Sequence, residues 1–535
     1  MQIAIIHLAM EISQALALAS LLLFTWLLFH LLSYQAPPKN ANGRARRRIP
    51  SPPALPVIGH LHLLQKPLHR SLAALVARYG DGSGLLLLRF GARPVVFVSS
   101  RAVAEECFTA HDAALADRPG LASQRLLTDG CPTIATARYG PRWRHLRRVA
   151  TVHALCARRL AATSPARDAE ARAMAGSLWR RSSSSSASAV VVSVKSAAYD
   201  FVANVIMSMV AGKRMADDDV LRFKALTEAA LAAAGAANRQ DFLPFLRVLD
   251  LGRVNRRLAG IAKERHDFGQ RIIDEYRRRH LATATTTSPS PPPPPRTVVG
   301  DLLRQQESSP ESYSDDVIRT VCLSLLQAGT DTSASTIEWA MALLLNNPEA
   351  LRKATAEIDS AVGDSRLVQE SDLAGGRLPY LRCVVAETLR LYPLAPHLVP
   401  HEASRDCAVA AAAGHVVVPR GAMVLVDVYS MQRDPRVWEE PEEFIPERFM
   451  GCGDDAARWR MMSFGMGRRK CPGEGLAVRT VGVALGAMIQ CFRWERVGKE
   501  EVDMSEGSGL TMPMAVPLTA VCLPRVEMMP LLKSL

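Results

Sequence analysis

No two cysteines of this 535-residue chain form a Cys-x-x-Cys pair, and no histidine cluster has the spacing of a zinc site. The ten cysteines lie at 107, 131, 156, 322, 383, 407, 452, 471, 491 and 522, a scatter that predicts reduced thiols and a cytosolic setting. Lys and Arg are absent from Met1 to Tyr34, and the only acid there is Glu11. A cleaved secretory leader wants cations before its apolar stretch and a small-residue cleavage site after it, and neither is present. The net charge is +13, yet no basic stripe is interleaved with aromatics and no nucleic-acid motif occurs. Nucleic acid is therefore set aside, and a membrane surface or an acidic redox partner fits the charge better.

What is present begins with Ala15 to Leu32, an apolar run broken only by Ser20, Thr25 and His30. At about 1.5 Å per residue it just spans a bilayer core of about 30 Å. Lys39, Arg44, Arg46, Arg47 and Arg48 follow, and positive charge on that side keeps it cytosolic. The expectation is an uncleaved membrane anchor over 1–35. A basic and proline-rich hinge over 36–58 follows, stiffened by Pro50, Pro52, Pro53 and Pro56. The main body of the chain then occupies 59–535. Ser182 to Ser186 and Thr283 to Pro295 are low-complexity segments, read as solvent loops between helices.

The chemistry concentrates near Cys471, in the run Phe464-Gly465-Met466-Gly467-Arg468-Arg469-Lys470-Cys471-Pro472-Gly473. Three cations, glycines and the start of an apolar helix surround one thiol. Cations and the positive end of a helix are expected to lower its pKa. Glycines let backbone N–H groups approach the sulfur. A thiolate so held is a good axial ligand for haem iron.

Phe464, Gly467, Arg469, Cys471 and Gly473 fill every fixed position of Phe-x-x-Gly-x-Arg-x-Cys-x-Gly. With Ala328-Gly329-Thr330-Asp331-Thr332-Ser333, Glu387-Thr388-Leu389-Arg390, Pro446-Glu447-Arg448-Phe449 and Trp143-x-x-x-Arg147, in that family's order, the chain resembles the cytochrome P450 superfamily from about Pro50 to Arg525. It looks like a plant microsomal member, similar to the group of isoflavone 2′-hydroxylases and herbicide-metabolising enzymes of grasses.

The resemblance implies a mainly α fold with small β-sheets, preceded by a single transmembrane helix. It implies haem b held by Cys471, with Phe464 beside the ligand loop and Gly473 within it. Arg469, Trp143, Arg147 and, where many relatives place an arginine, His401 are the implied propionate donors. Thr332 and Asp331 are the implied proton donors on the oxygen side, with Gly329 letting the helix pass close over the haem. Glu387, Arg390 and Arg448 are implied to lock the cysteine loop. The implied partners are NADPH–cytochrome P450 reductase, whose flavins deliver electrons, the endoplasmic reticulum membrane, and a small lipophilic, aromatic substrate. Two rivals stay open: a haem-thiolate isomerase or dehydratase, and a non-enzymatic membrane haem protein.

Local patterning places the motifs. Ser314, Asp315, Asp316 and the terminal Asn346, Asn347 and Pro348 predict one helix of about 32 residues. Further helices are expected over Pro348 to Ala361, Pro379 to Tyr392 and Leu476 to Ile489. Val416 to Val428 alternates and predicts a hairpin turning at Pro419-Arg420-Gly421. The resemblance implies a pocket drawn from the segments that carry Leu126, Leu127, Leu394, Leu398, Met512 and Met514, apolar residues that equally suit plain core.

Overall fold

The structure, a computed structural model, describes residues 13–14, 17–18, 20–21, 24, 48–183, 190–233, 238–284, 296–411, 414–451 and 461–535. Most of the proposed anchor, residues 36–47 of the hinge and most of both low-complexity segments lie outside these residues. Among the described residues, no helix is long and apolar enough to cross a membrane.

Helices dominate. The chain runs through α1 (Leu68–Tyr79), β1 (Leu85–Phe90), β2 (Arg93–Val98), α2 (Ala122–Leu127), α3 (Pro141–Ala150), α4 (Ser164–Ser183), β3 (Val190–Ser193) and α5 (Val194–Ala211). It continues with α6 (Arg253–Ala284), α7 (Asp315–Asn346), α8 (Pro348–Ala361), α9 (Pro379–Leu391), β4 (His401–Glu402), β5 (Cys407–Ala411), β6 (Gly414–Val418) and β7 (Met423–Val426). Then come α10 (Glu474–Cys491), β8 (Phe492–Arg496) and β9 (Thr519–Pro524). The strands form three small sheets, ordered β1-β2-β7-β4, β3-β9-β8 and β5-β6.

The helix ends follow their chemistry. Asp315 and Asp316 stand in the first turn of α7, where carboxylates favour the dipole, and Pro348 opens α8 at a position that needs no N–H. Pro379 does the same for α9. At ~1.5 Å per residue α7 is about 48 Å long and crosses the whole core. α5, α7 and α10 are buried along most of their length and pack on one another. Trp339 of α7 is fully buried, stacks on Tyr392 at 3.9 Å and donates to the Met512 carbonyl at 2.9 Å.

The sheets depart from expectation in one place. Val416 to Val428 is not a hairpin: β6 pairs antiparallel with β5, while β7 crosses to another sheet and runs parallel to β2. The alanine-rich stretch before Gly414 is itself the partner strand. Alternation names a strand and its faces, but it does not name the neighbour. The hinge also differs, since it folds back at its end. Leu55 and Gly59 exchange backbone bonds at 3.0 Å. Gly59 sits at φ +63°, with Arg89 O only 2.4 Å from where a Cβ would stand, so a larger residue is excluded there.

Candidate functional site

The cysteine loop is built before α10. Gly465 and Gly467 take φ of +70° and +65°, and Cys471 N donates to Phe464 O at 2.8 Å, closing the loop. Asp112 anchors it by accepting from Arg468 N at 3.0 Å. A Cβ on Gly467 would stand 2.5 Å from that carboxylate. Phe464 packs partly buried against the main core. A Cβ on Gly473 would lie 3.7 Å from the Cys471 sulfur, so backbone, not side chain, faces it.

The three cations that surround Cys471 in sequence do not surround its sulfur. Arg468 pairs with Asp112 at 3.3 Å and Lys470 with Glu474 at 2.7 Å. Arg469 donates to the carbonyls of Ala116 at 2.7 Å and Ala137 at 2.6 Å. Burial pushes the thiol pKa up, opposed by the N–H groups of Gly473 and Glu474 and by Arg147. The expected lowering is therefore corrected for the protein alone: desolvation outweighs the charges. The Cys471 side chain is accessible by surface area yet surrounded by protein mass. Both hold for a sulfur that faces an internal cleft.

A group of donors without carboxylate partners gathers nearby. Trp143 is buried, and its indole N–H has no hydrogen-bond partner. The Arg469 guanidinium lies 4.6 Å from the Trp143 ring centroid. Arg147 donates to Lys470 O at 2.6 Å. Arg118, which sequence reasoning did not single out as a donor, binds the carbonyls of Ala135 at 2.9 Å, Val399 at 2.6 Å and Pro400 at 2.8 Å. Burial pushes Arg469 down to about 10 and Arg118 down to about 9. Backbone carbonyls surround these cations, no carboxylate touches them, and the charge of Asp117 offsets only part of the cost of burial.

His401 stands beside them, but its expected donor role fits poorly. The ring is buried, and Nδ1 lies 2.7 Å from Leu115 O, so Nδ1 carries the proton. Burial, then Arg118 and Arg469, hold its pKa well below the ordinary value. A neutral ring with Nδ1–H offers a lone pair at Nε2, not a donor.

α7 supplies the opposite wall. In this buried helix Ala328 is exposed and Thr332 partly so. Thr332 Oγ1 donates to Ala328 O at 2.7 Å, within the helix. Asp331 turns elsewhere, into a buried cluster where Lys195 Nζ lies 3.6 Å from it and 3.6 Å from Glu338. Lys195, on α5, carries no sequence signal; only the packing of α5 on α7 reveals it. Gly329 is also reassigned. Its missing side chain faces Ile206 of α5, 2.6 Å from a would-be Cβ, so it serves helix packing.

The Glu387–Arg390–Arg448 network forms as expected. Arg390 Nε lies 2.7 Å and Arg448 Nε 3.0 Å from Glu387. The link to the cysteine loop, however, runs through Gln432. Its amide donates to Leu389 O at 3.0 Å and Arg390 O at 2.9 Å, and its Oε1 accepts from Met462 N at 2.9 Å and Ser463 Oγ at 3.0 Å.

A family model described as Cytochrome P450 matches residues 49–518. The chain belongs to the cytochrome P450 family. Similar proteins come from plants. "Cytochrome P450 81Q32" of Catharanthus roseus is 44% identical over 95% of this chain and 97% of that protein. The "(+)-piperitol/(+)-sesamin synthase CYP81Q2" of Sesamum radiatum is 42% identical over 89% and 90%. An "Isoflavone 3'-hydroxylase" of Medicago truncatula is 40% identical over 90% and 94%. The protein is a cytochrome P450 monooxygenase, a family that carries haem b, draws electrons from a redox partner and acts on small lipophilic molecules.

The residues present fit a haem. A P450 haem takes a cysteine thiolate ligand, and Cys471 offers an accessible sulfur with backbone N–H groups beside it. Two propionates need donors. The orphaned Trp143 N–H, with Arg118, Arg147 and Arg469, would be the groups to hold them.

Proposed function

We propose that this P450 hydroxylates or dealkylates a small lipophilic aromatic plant metabolite or xenobiotic, using O2 and electrons that originate in NADPH. Cys471 holds the haem iron, and the haem supplies oxygen activation. Trp143, Arg147, Arg469 and Arg118 bind the propionates, and the neutral His401 does not. The carrying observation is the buried, unpartnered indole N–H of Trp143 next to Arg469. A buried donor without a partner costs about 1–3 kcal/mol, and a propionate oxygen removes that cost.

Thr332 hands protons to the oxygen side of the site. Asp331 feeds it from the Lys195–Glu338 cluster, a buried acid–base set that bulk water does not reach directly. The substrate lies against Ala328, between α7 and the apolar stretches that carry Leu126, Leu394 and Met512. The names of the relatives, an isoflavone hydroxylase and a piperitol/sesamin synthase, support an aromatic oxygenated substrate.

Residues 1–35 anchor the chain in the endoplasmic reticulum membrane, 36–58 form the hinge, and 59–535 work in the cytosol. The exposed Arg468 and Lys470, with α3, present a basic face. An acidic flavin reductase, NADPH–cytochrome P450 reductase, docks there.

Membranes carrying the protein, reduced and exposed to carbon monoxide, should show the red-shifted band of a haem thiolate. With reductase and NADPH they should oxidise members of a flavonoid and isoflavonoid panel. No such band, or product formed without NADPH, rejects the proposal.

A further inference from the structure

α6 and α7 run antiparallel, joined by a regular series of contacts. Arg277 Nη2 meets Asp315 at 2.7 Å, Arg319 Nη1 donates to Gln270 at 2.8 Å, and a Cβ on Gly269 would lie 3.0 Å from Leu323. The next contact is Arg265 with Gln327, whose Oε1 accepts from Nη2 at 2.5 Å. Arg265 also donates from Nη1 to Leu127 O of α2 at 2.6 Å. One guanidinium thus joins three elements, and its partner Gln327 directly precedes Ala328.

This arginine is out of place by every ordinary rule. The inward face of α6 otherwise carries Leu258, Ile261, Phe268 and Ile272, all buried. The buried Arg159, Arg167, Arg319, Arg390 and Arg433 each pair with a carboxylate. Arg265 does not: the nearby acid on its own helix, Asp267, is taken by Lys263 at 2.6 Å. Its Nε is fully shielded and has no partner, and the same holds for Gln327 Nε2. Burial lowers its pKa to about 10, with no charge opposing the shift. Three further arginines with no carboxylate in contact, Arg118, Arg147 and Arg469, stand where the haem carboxylates are proposed. By the same chemistry Arg265 awaits an anionic oxygen on the substrate side.

We infer that Arg265 is a specificity-determining residue that binds an acidic oxygen, a carboxylate or an acidic phenol, on a lipophilic aromatic substrate. The inference rests on the site proposed above and adds the polar end of its pocket. Gln327 Oε1 holds the place of that oxygen; its side chain turns aside when the ligand enters. The planar fork of Arg265 then meets an oxygen pair that a neutral ester cannot offer equally well. The apolar body of the substrate lies along Leu126 and Ala328.

The test uses the full-length protein in membranes and two probes, biphenyl-4-carboxylate and its methyl ester. Binding is read by equilibrium dialysis, which needs no haem signal, beside the carbon monoxide spectrum. The wild type should bind the acid at least ten-fold more tightly than the ester. Arg265→Met should bring the two within two-fold while the carbon monoxide band persists, and Arg265→Lys should keep part of the preference. Should Arg265→Met not fold, Gln327→Ala decides: removing the stand-in oxygen should preserve or strengthen the acid preference, whereas a purely structural clamp loses affinity for both probes alike. A wild-type ratio near one, or a ten-fold ratio that survives Arg265→Met, overturns the inference. A normal band without acid preference leaves the earlier proposal standing; a missing band strikes that proposal alone, and the dialysis ratio still decides this one.

Discussion

Glu387 Oε2 and Arg390 Nε lie 2.7 Å apart with both side chains fully buried. The same arginine donates to the carbonyls of Gln432 at 2.9 Å, Pro441 at 2.7 Å and Glu443 at 3.0 Å. It therefore ties α9 to the segment that approaches the cysteine loop. Removing one partner leaves the other charge stranded, at a cost of about 3–5 kcal/mol. Arg390→Ala should yield little folded protein and no carbon monoxide band in whole membranes. A normal yield of spectrally intact protein would contradict the role.

Among the described residues, Thr332 is the hydroxyl bonded directly to the accessible Ala328, at 2.7 Å. Thr332→Ala should retain haem and NADPH consumption but lower product per NADPH by about 100-fold, the lower end of what a lost proton donor costs. Hydrogen peroxide should rise to match. Unchanged coupling rejects the assignment.

Trp143→Phe removes the orphaned N–H and keeps an aromatic ring against Arg469. A hydrogen bond to a charged group contributes about 1.5–3 kcal/mol. The variant should lose haem to a scavenger at least about ten-fold faster, with its circular dichroism unchanged. Equal rates of loss dismiss the indole as a propionate donor.

His397 is partly buried with its Nε2 fully shielded, and burial, then His69, lower its pKa to about 3 from 6.5. The unfolded chain therefore binds a proton that the folded chain refuses. The contribution to stability is complete above pH 6.5 and falls by ~1.4 kcal/mol per pH unit below it. Asp427, pushed up to about 6 by burial, acts with the opposite sign, so the difference between wild type and His397→Phe isolates the histidine. Denaturant titrations at pH 7.5 and 5.5 should show that difference shrinking at the lower pH. A constant difference refutes the buried neutral ring.

Much of the fold was legible in local pattern. The bounds of α7, α8 and α9 follow from acids, asparagines and prolines at their ends, because capping acts within one turn. The cysteine loop was legible because its glycines and its thiol are consecutive. Strand partners were not legible, and Val416 to Val428 was paired with itself when its two halves belong to different sheets. Gln432, Lys195 and Arg118 left no trace in sequence, since each works through residues far along the chain. The charge around Cys471 was misread for a related reason: cations adjacent in sequence turn to Asp112, Glu474 and backbone carbonyls in space.

Order along the chain determined which groups are available: one thiol framed by glycines, a threonine and an aspartate in mid-helix, an indole and an arginine one turn apart. It determined the helix ends too, because backbone hydrogen bonding is settled over three or four residues. Packing alone decided which of those groups are desolvated and what stands opposite each of them. Burial raised the thiol, kept His401 neutral and left Arg265 without a counter-charge. The free energy of a charge depends on everything within several ångströms, and that neighbourhood exists only after distant segments have met.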